Sequence, residues 1–170
     1  MASREPVEFQ PKPILRRLLE HDVDFVLIGG LAGIAHGSSY PSYDVDIAYA
    51  RGKRNLERLA SALQDLGATL RGTPSTLPFQ LDAQSLKAGA HFTFQTTYGS
   101  LDILADPDGA PSYDKLKAAA GAPVEVEGEL IFVASLDHLI AMKETSGRTK
   151  DKLMATEYRV LSDELRAPKG

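Results

Sequence analysis

Apolar residues recur along this chain at two spacings, and the spacings separate helices from strands. Ile14, Leu15, Leu18 and Leu19 follow Pro13 at helical intervals, which predicts a first helix ending near His21. Phe25-Val26-Leu27-Ile28 is an unbroken apolar run and predicts a strand buried on both faces. Gly29-Gly30 interrupts it, and Leu31 to His36 predicts a short helix closed by Gly37. Tyr43 to Tyr49 predicts a second strand. Asn55 is a plausible N-cap for a helix carrying Leu56, Leu59, Ala60, Leu63 and Leu66, with Gly67 at its end. From Thr69 to Gln84 the pattern is ambiguous, with one short strand expected near Phe79–Leu81. His91–Thr97 and Leu101–Leu104 flank Tyr98-Gly99-Ser100 as a hairpin, and Val124–Val126 and Leu130–Val133 flank Glu127-Gly128-Glu129 as another. Between them Tyr113 to Ala120 predicts a short helix.

The C-terminal third is predicted to be helical. Ser135 is a good N-cap for a helix with Leu136, Leu139, Ile140 and Met142, running to Gly147. A second helix is expected from Thr149 to Leu165, and both termini read as tails. The predicted fold class is α+β: a mixed sheet of about five strands, one covering helical layer, and a C-terminal helical pair. The expected organisation is a core over residues 1–134 and a helical extension over residues 135–170, packed on the core.

Composition narrows the chemistry. The chain has 170 residues, enough for one domain with a real core. It has no cysteine, which rules out disulfides, thiolate zinc sites, iron–sulfur clusters and a cysteine nucleophile. That fits a reducing cytoplasm. A formal charge of −4 excludes a polybasic nucleic-acid coat. No signal peptide is visible at Met1 to Pro6, and the longest apolar stretch, Phe25 to Ala35, is too short and glycine-rich to span a bilayer. The expectation is a cytoplasmic protein without membrane contact.

The chemically informative segment is Tyr43-Asp44-Val45-Asp46-Ile47. Side chains alternate along a strand, so Asp44 and Asp46 share one face and Val45 and Ile47 the other. Two carboxylates about 7 Å apart repel unless something positive lies between them, and a hard divalent cation is the usual answer. Asp102, between Leu101 and Ile103, repeats the pattern. If its strand lies beside the first, three carboxylates meet in a metal site suited to phosphoryl or nucleotidyl transfer. Gly29-Gly30, between a buried strand and a helix, has the form of a phosphate-binding turn. Alone, an Asp-x-Asp strand reads as a solvated face and a Gly-Gly pair as an ordinary turn; their order along the chain makes the combination specific.

Ile28-Gly29-Gly30, Asp44-Val45-Asp46-Ile47 and Asp102 resemble the signature of the nucleotidyltransferase superfamily with the polymerase-beta-like fold. The tail, Leu136 to Lys143 followed by Gly147-Arg148-Thr149-Lys150-Asp151, resembles small bacterial stand-alone members such as AbiEii-type toxins of toxin–antitoxin systems. The resemblance implies Mg²⁺-dependent transfer of a nucleotide from an NTP to a hydroxyl, with two ions in the active complex. It implies a tRNA or other macromolecular acceptor in the toxin branch, with a cognate antitoxin as partner. Asp44, Asp46 and Asp102 would hold metal and act in catalysis. Gly29, Gly30, Ser42, Lys143, Arg148 and Lys150 would hold the nucleotide. Tyr40 stands where many relatives carry arginine, Ser42 where they carry threonine, and Gly30 where they carry serine.

Two rival readings go with this one. The acceptor is a small molecule such as a cationic antibiotic, although a short chain leaves little room for a substrate domain. Or the fold is kept and catalysis lost, leaving a binding or antitoxin-like protein. His21, His91 and His138 share no metal spacing and are assigned no chemistry, and His36 reads as structural. Asp106-Pro107-Asp108-Gly109 reads as a turn. Tyr40 and Tyr43 read as packed rings. Lys53, Arg54 and Arg58, at the unfavourable end of a helix for cations, read as a solvated face.

Overall fold

The computed structural model describes residues 7–72 and 79–166; the two predicted tail ends, residues 1–6 and 167–170, lie outside them, and with them the segment read for a leader. The order of elements is α1 (Pro11–Glu20), β1 (Phe25–Ile28), α2 (Gly29–Ala35), β2 (Asp44–Tyr49), α3 (Lys53–Asp65), β3 (Thr69–Leu70), α4 (Ala83–Ala88), β4 (His91–Thr96) and β5 (Gly99–Leu104), then α5 (Tyr113–Ala120), β6 (Val124–Val126), β7 (Glu129–Ile131), α6 (Leu136–Ser146) and α7 (Thr149–Arg166). Five strands form one sheet in the order β1-β2-β5-β4-β3, and β6 and β7 form a separate hairpin. The β2–β5 pair is parallel and the other pairs of the main sheet are antiparallel, so the sheet is mixed and the fold α+β. A parallel pair needs a crossover; here it contains α3, β3, α4 and β4.

Burial follows the side-chain pattern. All four residues of β1 are buried, as an unbroken apolar run requires. Along β2 and β5, Val45, Ile47, Leu101 and Ile103 are fully buried and join one core with Ile14, Leu15 and Leu18 of α1 and Leu56, Leu59 and Leu63 of α3. Of the alternate positions, Asp44, Asp46, Ser100, Asp102 and Leu104 are only half-buried, while Ala48 is buried. One face of β2 and β5 is therefore core, and the other carries polar groups from Asp44 to Asp46 and along β5.

Two expectations need correction. Asn55 is not an N-cap: α3 begins at Lys53 after Gly52, and Asn55 is buried in its first turn. Its side chain accepts from the Asp24 N–H at 2.7 Å and donates to the carbonyls of Asp24 (3.1 Å) and Ala50 (2.7 Å). It ties the entry to β1 to the exit from β2, a tertiary use that outweighs the local capping preference. No strand forms at Phe79–Leu81. Thr69–Leu70 takes the edge of β4 instead, and the Phe79 ring packs on Phe92 and Phe94 at centroid distances of 5.9 and 6.2 Å. Asp82 then caps α4 by accepting from the Ser85 N–H at 2.8 Å.

At the C-terminal end Ser135 caps α6, and Gly147 closes it in the left-handed region with φ 70°. The helices α6 and α7 pack together, and α6 also meets α2. No helix among the described residues is long and apolar enough to cross a membrane.

Candidate active site

The parallel register of β2 and β5 sets Asp46 directly beside Asp102 and Asp44 beside Ser100. Asp44, Asp46 and Asp102 therefore occupy the face of the sheet opposite the core, brought together by strands far apart in the sequence. Asp46 and Asp102 are poorly solvated, whereas the Asp44 side chain is 47% exposed. Burial pushes the Asp46 carboxyl up to about 7, helped by the charges of Asp102 and Asp44 and by the hydrogen bond it shares with Asp102; Lys143 pulls it the other way. Burial likewise raises Asp102, against the opposing pull of Arg71. Burial therefore favours the protonated form at both Asp46 and Asp102 in the ligand-free protein.

Gly29 lets the turn after β1 press on this pair. Its φ is +72°, and a Cβ there would collide with the Asp46 carboxylate. Gly30 packs on Ser42: a Cβ would lie 3.0 Å from the Ser42 hydroxyl. That hydroxyl donates to the Asp44 carbonyl at 3.2 Å, so Ser42 braces the start of β2.

Lys143 of α6 reaches the same region. It forms an ion pair of 3.2 Å with Asp151, which also accepts from the Ser146 hydroxyl at 2.6 Å. Asp151 is held below the usual carboxylate range by Ser146, Lys143 and Arg148, in spite of its desolvation. The partner of Asp151 is thus Lys143 and not its neighbour Lys150. Gly29, Asp46, Lys143 and Asp151 line a cleft of about 260 Å³ between the sheet and the helical pair, and His91 and Asp108 belong to the same lining. Arg148 and Lys150 lie exposed at the α6–α7 turn.

The tail helices also hold the loop that leads to the acids. The Ser39 N–H and hydroxyl both donate to the Glu157 carboxylate, each at 2.8 Å. His36 donates from Nε2 to the Ala134 carbonyl at 2.8 Å, a structural role. Tyr40 is half-buried against the core, whereas Tyr43 is 70% exposed at the mouth of β2 rather than packed.

The sequence reading missed two residues. Arg71, just after β3, forms ion pairs with Asp102 and, at 3.6 Å, with Asp44. It lies in a stretch with no legible motif, and only the bond of its N–H to the Thr93 carbonyl (2.9 Å) brings it to the acids. His91 is placed on the acidic face by the β4–β5 register, a pairing that no spacing among histidines could reveal.

Among the described residues no group of three His, Asp or Glu side chains is arranged as a ready-made metal site. At the three acids a guanidinium stands instead. The donor set nevertheless suits a hard divalent cation. It offers only carboxylate oxygens, on rigid strands, with Asp46 raised by burial and by its acidic neighbours and an arginine as a cationic stand-in.

No protein-family model matches the chain, and no curated protein does. Among solved structures it is similar to lincomycin-bound LnuA, a lincosamide antibiotic adenylyltransferase, at 14% identity and TM-score 0.60, over 91% of this chain and 99% of that one. It is also similar to the antibiotic-resistance factor ANT(2'')-Ia in solution, at 17% identity and TM-score 0.54, over 92% of this chain and 89% of that one. These likenesses show that the chain has the α+β fold of nucleotidyltransferases.

Proposed function

We propose that the protein is a nucleotidyltransferase that moves a nucleotide from an NTP to a hydroxyl of a small molecule. The observation that carries this reading is the meeting of Asp44, Asp46 and Asp102 on one sheet face, with Asp46 also lining a cleft walled by Gly29 and Lys143. Divalent ions such as Mg²⁺, two in the active complex, would be held by the three acids and would supply charge neutralisation at the α-phosphate and the leaving pyrophosphate. The Gly29 turn admits a phosphate close to the backbone. Lys143 adds a cation to the lining of the same cleft. An ionised carboxylate of the Asp46–Asp102 pair is placed to take the proton from the attacking hydroxyl. A new bond forms between the acceptor oxygen and the α-phosphorus, the bond to pyrophosphate breaks, and the hydroxyl proton passes to the acid pair.

The acceptor is assigned to small molecules because LnuA acts on an antibiotic and is matched over 99% of its length by 91% of this chain. A chain of this size needs no separate substrate domain for that task. Asp108 on the cleft, in no ion pair among the described residues, favours a cationic acceptor. The toxin-like reading, with tRNA as acceptor and an antitoxin as partner, rests on the tail motif of Lys143, Arg148 and Lys150, of which Lys143 alone lines the cleft.

The test is label transfer from each α-labelled NTP, with Mg²⁺, into total RNA, cell protein and a panel of hydroxylated cationic small molecules. Label in a small molecule, lost in Asp46→Asn, supports the proposal. Label in tRNA keeps the chemistry and replaces the acceptor. An absence of label everywhere, with no NTP-dependent stabilisation, leaves a catalytically silent binding protein.

A further inference from the structure

We infer that Arg71 is the resident counter-cation of the acidic face, and that a divalent ion binds there by displacing it. The inference rests on the reading of Asp44, Asp46 and Asp102 as cation ligands. Its basis is placement. The Arg71 N–H bonds the Thr93 carbonyl at 2.9 Å, Thr93 pairs with Asp102, and Asp102 pairs with Asp46. Arg71 thus stands in one cross-strand row with two of the acids and reaches the third, with Nη2 on Asp102 and Nη1 3.6 Å from Asp44.

The pairing satisfies charge better than it satisfies donors. Arginine binds a carboxylate best through two parallel N–H bonds. Here Nη1 and Nη2 are spread over two different carboxylates, and Nε is buried with no hydrogen-bond partner among the described residues. A fork left part-used is poorly matched to its site as a permanent structural pair. Its anchor is also slight, since β3 is only two residues long. Release of the guanidinium gives both carboxylates back to a cation whose ligands are oxygens. Arg71 and a divalent ion therefore exclude each other at Asp44 and Asp102, and the competition lowers the affinity for metal.

The experiment titrates Mn²⁺ alone into wild type, Arg71→Ala and Arg58→Ala in about 0.15 M salt, where distant surface charges are screened. Arg58, half-buried on α3 and in no ion pair among the described residues, controls for loss of one positive charge. Arg71→Ala is expected to bind Mn²⁺ about tenfold more tightly, the change made by removing two competing ion pairs, those with Asp102 and Asp44, with Arg58→Ala unchanged. In parallel, the Nε–H resonance of Arg71 in the wild type is followed during a Mg²⁺ titration and is expected to shift as the site fills. This second measurement needs no variant and decides the matter if Arg71→Ala does not fold. Mn²⁺ binding to wild type that is no weaker than to Arg71→Ala, with an unmoved Nε–H resonance, overturns the inference and leaves the metal reading intact. An absence of Mn²⁺ binding to either protein overturns the metal reading, and the inference with it.

Discussion

Tyr158 of α7 presses its phenol oxygen against Gly33 in the middle of α2, so closely that no Cβ fits between them. The contact docks the C-terminal helices on the element that follows the glycine turn. In an ordinary helix, alanine in place of glycine gains up to ~1 kcal/mol. Here the overpacking term, ~1–3 kcal/mol, is the larger, because Tyr158 is fully buried and its ring has nowhere to go. Gly33→Ala is therefore expected to lower the melting temperature. The Tyr158 hydroxyl is buried without a hydrogen-bond partner among the described residues, and burial pushes it up to about 12. Tyr158→Phe should then be neutral or stabilising in the same thermal melts; a marked loss would mean that the hydroxyl has a partner.

Asp46→Asn should abolish nucleotidyl transfer and yet stabilise the ligand-free protein. The folded-state Asp46 carboxyl sits at about 7, above its ordinary value of 3.8, so its ionisation costs stability as pH rises through that interval. The variant and wild type should melt together near pH 4. The gap should open in favour of the variant up to pH 7 and stay constant above. Each kcal/mol corresponds to ~2–4 °C for a chain of this size. A variant less stable than wild type at pH 8 would contradict the repulsion described between Asp46, Asp102 and Asp44.

Glu157 has the opposite sign. Hydrogen bonds from Ser38, and from the N–H and hydroxyl of Ser39, hold its carboxyl below the ordinary glutamate range. A depressed carboxylate stabilises the fold above its unfolded-state pKa, and that contribution is lost as pH falls through the folded value. Glu157→Gln should be less stable than wild type at pH 7 and indistinguishable from it in strong acid. Because Glu157 tethers the loop before Asp44, the variant should also raise KM for the NTP more than it lowers kcat.

Asn55→Asp separates a cap from a buried clamp. At an N-cap, aspartate serves as well as asparagine. At Asn55 the amide donates to two carbonyls, and a carboxylate would face both with lone pairs. Urea unfolding should show Asn55→Asp and Asn55→Ala each losing roughly 2 kcal/mol, the scale of a buried group left unsatisfied. An unchanged midpoint for Asn55→Asp would restore the capping role.

Gly29→Ala combines backbone strain of ~1 kcal/mol or more at φ +72° with a collision against the Asp46 carboxylate. Transfer should fall by more than the stability loss explains. The check is to compare activity with the folded fraction measured by circular dichroism at the same temperature.

Much of this protein could be read directly from its residues, because the deciding forces were local. Phe25 to Ile28 had no alternative to a doubly buried strand once Gly29 ended it, and both strand ends match. Tyr113–Ala120 matches at both ends, and Ser135 and Gly147 bound α6 as their capping chemistry requires. Period-two alternation was enough to put Asp44 and Asp46 on one face. The partners of those acids were decided only in three dimensions. Strand register across a crossover set Asp46 beside Asp102, and a two-residue edge strand carried Arg71 to both Asp102 and Asp44. The β4–β5 register brought His91 to the cleft, and packing turned Asn55 from a cap into a clamp. Neighbouring residues constrain one another through backbone geometry, whereas contacts between distant strands form only when the core is packed, and spacing along the chain carries no record of them.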